Sequence, residues 1–250
     1  MSRVFVTGDT HIPIDVKKLN SDNFLEEKEL TKDDYVIVAG DFGLLWSYKE
    51  SGSSVESNPE DLCWSNEELY WKKWFEEKPW TTLFIDGNHE NHARLDSYPV
   101  SEWHGGKAHI ITPSIIHLMR GQIYDIAGHT FFTFGGGKSI DRGAAVGQEE
   151  RDRGKVWWDR EIPSEEEFAE GMDNLERRDY KVDYVITHSL PVSILREMRM
   201  LGGGPLSIYF DELIKNGIQF KRWYSGHYHQ DITGGKWTLI FNRVAEVLDV

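Results

Sequence analysis

The sequence predicts an α/β fold with mixed β-sheets, two of them packed together. Three observations lead there: five short apolar or β-branched runs, helical patterns with start signals between them, and a central pair of strand-like runs joined by a tight turn. Alternation of strand and helix favours parallel pairing, whereas the central hairpin adds antiparallel strands.

Taken in chain order, the strand candidates are RVFVT (3–7), YVIVA (35–39), TLFID (82–86), DYVIT (183–187) and the weaker FKRWYS (220–225). Each is short, bounded by turn residues and rich in side chains that suit a pleated surface. Ser65 with Glu68 and Ser164 with Glu167 have the capping-box spacing, so a helix is expected to start after each serine. In the second of these helices Phe168, Met172 and Leu175 share one face. Leu206, Phe210, Leu213 and Ile214 form a further apolar stripe, closed by Gly217 beyond the last turn. Between them, IIHLMRGQIYDI and TFFTFGGG flank AGH and read as the hairpin.

A chain of 250 residues with 39% hydrophobic residues and ten tryptophans has ample material for a packed interior. It shows no internal repeat and no hinge-like linker, so one domain over 1–250 is expected, with a surface insertion at 47–61 (SYKESGSSVESNPED). The lone cysteine, Cys63, excludes an intramolecular disulfide and has no neighbouring histidine in sequence, so it is read as structural or incidental and as a sign of a reducing compartment. The opening MSRVFVTGDT lacks the succession of a signal peptide, and no stretch approaches the length of a membrane span. A soluble cytoplasmic protein with no membrane partner is the expectation. The formal charge of −14 repels polyanions over most of the surface and makes nucleic acid a disfavoured partner. A local cationic site is still compatible with it, and bound metal ions would supply one.

The residues just after each strand candidate carry the chemistry. GDTH comes after 3–7, GDFG after 35–39, HS after 183–187 and GHYH after 220–225, and GNHE adjoins the end of 82–86. Loops at the carboxyl ends of strands in open α/β sheets converge on ligand crevices, and glycine lets those loops approach one another. If the strands are neighbours, Asp9, His11, Asp41, Asn88, His89, His188, His227 and His229 meet in one pocket. An aspartate after a strand is by itself usually a turn or cap residue. In DTH and HYH, however, residues two apart in an extended segment point to the same side. The joint reading rests on five coincident strand ends. Two carboxylates, an amide oxygen and four imidazoles, with no thiolate, suit manganese, iron, zinc or nickel better than soft metals or calcium. Seven such ligands exceed one tetrahedral centre and serve two ions if a carboxylate is shared. His129 sits at the expected hairpin turn and is discounted, while His92, His104, His109 and His117 lack strand-end placement and are read as solvated or locally bonded.

The ordered blocks GDTH, GD, GNHE, H and GHYH, spanning 8–229, resemble the calcineurin-like metallophosphoesterase superfamily, whose members include protein phosphatases, cyclic-nucleotide phosphodiesterases, nucleotide hydrolases and DNA-repair nucleases. The resemblance implies a four-layer αββα sandwich with two mixed sheets and a dinuclear centre of divalent or trivalent ions. One ion would be held by Asp9, His11, Asp41 and His229, the other by Asp41, Asn88, His188 and His227, with Asp41 bridging. His89 would face the substrate as general acid or charge stabiliser. Two departures stand out. Ile12 and Pro13 come after the first histidine where glycine is usual. Leu44 and Leu45 occupy the region in which serine/threonine protein phosphatases carry a second aspartate that supports the histidine, so GNHE alone does not make this chain a protein phosphatase.

The expected reaction is hydrolysis of a phosphomonoester or phosphodiester, with a metal-bridging hydroxide attacking phosphorus in line and His89 assisting the departing oxygen. The substrate is a small phosphorylated molecule or a phosphoprotein. GGGKSIDRG (135–143) supplies Lys138 and Arg142, and Arg142 is the candidate substrate-binding residue. MLGGGPLS (200–207) reads either as a lid or as a turn between helices. A metal-dependent nuclease and a non-catalytic metal-stabilised binding module are the competing readings.

Overall fold

The computed structural model describes residues 2–46, 64–139, 158–200 and 203–247. The segment expected as an insertion at 47–61, together with Cys63 and Arg142, lies outside the described residues, as do 201–202 of the glycine-rich connection.

Two mixed sheets carry the described chain. In the first, β1 (Val4–Thr7), β2 (Tyr35–Ala39), β3 (Thr81–Ile85) and β6 (Ile115–Leu118) run parallel and adjacent. β5 (Gly106–Thr112) and β4 (Val100–Trp103) extend that sheet antiparallel at one edge, and β13 (Ala245–Glu246) does so at the other. In the second sheet, β8 (His129–Phe134), β9 (Tyr184–Thr187), β10 (Arg222–Ser225) and β12 (Trp237–Leu239) are parallel. The antiparallel β7 (Gln122–Ile126) and β11 (Ile232–Thr233) flank them.

Alternation along each strand shows why the runs are apolar throughout. Val6, Ile37 and Ile85 of the first sheet pack with Phe131, Tyr184 and Ile186 of the second, so the two sheets lie face to face. The intervening Phe5, Val36, Val38 and Phe84 point the other way, against Phe75 of the helix α1 (Asn66–Glu76) and the neighbouring Trp80 and Leu95. Val185 and Trp223 likewise pack against Leu175 of α3 (Glu165–Glu176) and Phe210 and Leu213 of α5 (Pro205–Lys215). The result is a four-layer αββα sandwich. Strands buried on both faces need apolar side chains at every position, and each such side chain contributes about 1.5–3 kcal/mol of transfer free energy.

Both expected capping boxes are present: Ser65 and Ser164 accept the backbone N–H of Glu68 and Glu167, and the glutamates reach back to the serine N–H groups. Gly217 comes after α5 with φ of 82°, as its helix-terminating position requires. Ile214 departs from the expected stripe and is 40% exposed, because the buried arc of α5 is covered by Leu206, Phe210 and Leu213. The hairpin forms between β7 and β8, with Ala127 and Gly128 both at positive φ, as a two-residue type I′ turn demands. The run upstream of it does not act as one strand, however. It splits at Arg120 and Gly121 into β6 of the first sheet and β7 of the second, a crossover that an unbroken apolar pattern does not reveal. Two short helices, α2 (His92–Asp96) and α4 (Val192–Glu197), complete the described helices of four or more residues apart from 3-10 turns. Among the described residues, no helix is long and apolar enough to cross a membrane.

Candidate metal centre

The carboxyl ends of β1, β2 and β3 in one sheet and β9 and β10 in the other open onto a common point. All eight residues singled out at these ends are brought together there. Asp9, Asp41, Asn88 and His188 are buried, with relative exposures of 0, 1, 2 and 0%. Oδ2 of Asp41 lies 3.2 Å from Nε2 of His11 and 3.3 Å from Nε2 of His188. His188 Nε2 is also 3.1 Å from Oδ1 of Asn88, and its Nδ1 is 3.4 Å from Oδ1 of Asp9. The imidazole of His227 lies 4.9 Å from that of His188, and that of His229 lies 5.0 Å from that of His11, centroid to centroid. Ligand atoms of Asp9, Asp41 and His188 all fall within 4.8 Å of one another, which is the spacing of a cation's coordination sphere.

Local backbone explains the convergence. His11, Asp41, His227 and His229 all adopt positive φ, at 36°, 48°, 71° and 47°. Non-glycine residues rarely hold this conformation, and it persists at functional sites because the surrounding structure imposes it. Two glycines make room: a Cβ on Gly40 would stand 2.1 Å from Nδ1 of His188, and one on Gly87 would stand 1.9 Å from Oδ1 of Asp41.

The ring nitrogens are oriented as metal-binding histidines require. His188 donates from Nδ1 to the Ala39 carbonyl at 2.8 Å, and His11 Nδ1 lies 2.8 Å from the Asp15 carboxylate. In both rings Nε2 is left facing the centre, and partners of this kind set tautomer and basicity in metal sites. The Asn88 amide is oriented too. Its Nδ2 donates to Ser139 Oγ at 3.0 Å, Ser139 in turn donates to Glu161 at 2.7 Å, and the amide oxygen therefore faces inward. The backbone N–H of His227 donates to Asp9, and that of His89 donates to Asp41 at 2.8 Å. Glu90, the last residue of GNHE, is buried and accepts the backbone N–H groups of Phe42 and Gly43, which ties its loop to that of Asp41. Lys18, also buried, donates to the carbonyls of Gly8, Asp9 and Phe241. Asp15, Lys18, Ser139 and Glu161 support the site although nothing in the sequence singles them out as ligands, and Glu90 does so from within the GNHE block.

The electrostatics are those of a place for positive charge. Burial disfavours a proton on His188, but the Asp41 and Asp9 carboxylates outweigh it and raise the imidazole to about 10. Burial would likewise raise Asp41, yet His188 and His11 hold it well below the usual carboxylate range. Asp9 is raised by burial and further by Asp41. Burial, with His188 beside it, pushes His227 down to about 3, leaving a neutral ring of the kind that ligates metals. Two buried carboxylates that need a cation, an inward amide oxygen and imidazoles with outward hydrogen-bonded partners fit a divalent ion.

A second buried polar cluster stands behind the GNHE loop. Asp86 accepts from Nε and Nη2 of Arg120 at 2.9 and 2.5 Å, and lies 3.3 Å from Nε2 of His117. His117 meets His109 at 3.1 Å between Nδ1 atoms, and His92 lies 3.7 Å from Asp86. Of the four histidines expected to be solvated or locally bonded, His109 and His117 are buried and bonded locally, His92 is buried with its Nε2 unpartnered, and His104 is exposed and faces the Asp125 carbonyl at 2.9 Å. Asp86 is held well below the usual carboxylate range, burial being outweighed by Arg120 and His117. Arg120→Met leaves that carboxylate buried without its main counter-charge and is expected to destabilise the fold by about 3–5 kcal/mol in urea titration. Partial recovery in the double variant Asp86→Leu/Arg120→Met is expected; equal loss in both would show that Arg120 acts through packing and not through charge.

Parallel strands of two facing sheets, delivering carboxylates and imidazoles to a single buried point, define a metal-dependent phosphoesterase architecture. The family model for calcineurin-like phosphoesterases matches residues 2–231, and the chain belongs to that family. Metal-dependent phosphoester hydrolysis is therefore its general activity, and the buried Asp9–Asp41–His188 group is a place where a divalent metal can bind. A search of curated proteins found no match.

Proposed function

We propose that this chain is a dinuclear phosphoesterase that hydrolyses a small phosphomonoester or phosphodiester. The observation that carries the reading is the position of Asp41 Oδ2 between Nε2 of His11 and Nε2 of His188, one from each half of the ligand set. A carboxylate so placed suits a shared ligand. Asp9, His11, Asp41 and His229 would hold one ion, and Asp41, Asn88, His188 and His227 the other. With no thiolate among them, manganese, iron, zinc or nickel is favoured. When bound, the ions supply charge that stabilises phosphoryl oxygens and acidifies water.

The chain's own residues do the rest. The His89 backbone is tied to Asp41 at 2.8 Å, and its ring lies 6.1 Å from that of His11 and 6.5 Å from that of Trp158. It is thus at the rim of the centre, where a proton can pass from its imidazole to the departing oxygen. The backbone at Gly137 runs against His188 and Asn88, with the exposed Lys138 next to it, so Lys138 is a cation offered to the phosphate, and Arg142, four residues further along the sequence, is the candidate substrate-binding residue. The charge of −14 favours a small phosphorylated molecule or phosphoprotein over nucleic acid, and the single cysteine favours a cytoplasmic setting.

Protein purified without chelator is expected to carry about two ions per chain by elemental analysis and to hydrolyse a generic phosphomonoester or phosphodiester. Chelation should abolish turnover, and manganese or another of these ions should restore it. Saturation at one ion would refute the dinuclear reading, and metal-replete protein inert toward both ester classes would favour the binding module.

A further inference from the structure

Next to the centre lies a pocket of about 490 Å³ that shares His11 and His89 with it. This is the size of a small-molecule site. Beyond those two histidines the wall changes character, to Pro13, Leu44, Trp46 and Trp71. Resting on the phosphoesterase reading, we infer that this pocket is a subsite for the alcohol portion of the substrate, and that this portion carries an uncharged, flat ring.

Four observations support the assignment. First, the pocket begins at His89, the residue that would protonate the leaving oxygen, so a group esterified to the phosphorus extends into it. Second, its aromatic wall is built, not incidental. The Trp46 backbone N–H donates to Glu68 at 2.8 Å and its backbone carbonyl accepts from Asn91 at 3.3 Å, while its ring meets Trp158 edge-on at 5.2 Å. Trp158 in turn stands between Trp46 and His89, giving an aromatic edge continuous with the centre. Third, Trp46 is 40% and Ile14 72% exposed at this rim, an apolar surface that a ring would cover. Fourth, the polar groups here repel anions. Glu67 is exposed on the rim, and the Glu68 oxygens are already engaged by Trp46, Ser65 and Arg94. A second phosphate or a polyanionic strand is therefore disfavoured, whereas a nucleoside or a simple aryl group, which share the flat ring, is accommodated.

Matched esters test this without confusing ring binding with leaving-group chemistry. Adenosine monophosphate is compared with ribose phosphate, and benzyl phosphate with ethyl phosphate, since each pair departs as a similar primary alcohol. In the metal-loaded protein the ring-bearing ester of at least one pair is expected to have a kcat/KM higher by about ten-fold or more, the scale of ring stacking on aromatic side chains. Trp71→Ala should collapse that ratio and Trp71→Phe should restore most of it. In parallel, adenosine and benzyl alcohol are titrated into chelator-treated protein by ligand-observed NMR, where binding should weaken about ten-fold in Trp71→Ala and in Trp46→Ala. The pair with the larger ratio distinguishes nucleoside from aryl substrates. Equal kcat/KM within both pairs, with all four esters turned over, overturns the ring subsite and leaves the phosphoesterase reading intact. No turnover of these monoesters or of a generic phosphodiester, with ring binding that still depends on Trp71, overturns the phosphoesterase reading instead. Ring binding that is absent, or unchanged in both tryptophan variants, overturns the subsite.

Discussion

Asp41→Asn is expected to release both metal ions together and to reduce hydrolysis to near the background rate. Asp41 Oδ2 faces both His11 and His188, and its Oδ1 accepts the His89 N–H, so in the proposed two-ion assignment this one carboxylate would serve both ions. The amide keeps one oxygen and a similar volume, but it loses the negative charge that offsets two cations in a buried site. Loss of affinity at both sites should exceed the factor of about 10–100 typical of an outer-shell change. Elemental analysis after dialysis against limiting metal reads the effect directly, and circular dichroism checks the fold. Retention of one ion at wild-type affinity would show that Asp41 does not bridge.

His89→Ala should retain both ions and the fold while turnover falls by about 10²–10⁴, the range for removal of a general acid–base group. The imidazole stands beside the centre, 6.1 Å from the ring of His11, whereas the backbone contact to Asp41 survives truncation of the side chain. The deficit should shrink for a nitrophenyl ester, whose leaving group departs with little help from a proton. Loss of an ion in the variant would make His89 a ligand, and undiminished hydrolysis of an alkyl ester would remove it from catalysis.

Much of this fold is legible because its central strands are buried on both faces. In YVIVA the residues Val36 and Val38 serve one core and Ile37 and Ala39 another, so every position past the first must be apolar and the run is conspicuous. The edge strand β4 leaves no such mark. VSEW alternates between exposed and half-buried positions, and its polar residues conceal it. The Asp86 cluster is hidden for another reason. Asp86 and Arg120 are separated by 34 residues, and an arginine within a single strand-like run looks the same in sequence whether it is solvated or enclosed. His92, His109 and His117 become buried only once β5 and β6 pair and α2 closes over them.

By itself, the sequence determined which chemical groups stand at the ends of which strands. Periodicity and turn residues are local properties, and GDTH, GNHE and GHYH sit immediately after the runs that form β1, β3 and β10. It also determined the start of two helices, through serine and glutamate three residues apart. Only the tertiary structure decided that His11 from one sheet and His188 from the other approach the same oxygen of Asp41, and that Asp15 and Ala39 turn their rings toward it. It alone decided that Trp46 and Trp71, from separate segments, frame a pocket opening from His89. These contacts depend on strand order, on the facing of two sheets and on positive φ imposed by packing, and contacts between distant segments of the chain are encoded in no single stretch of it.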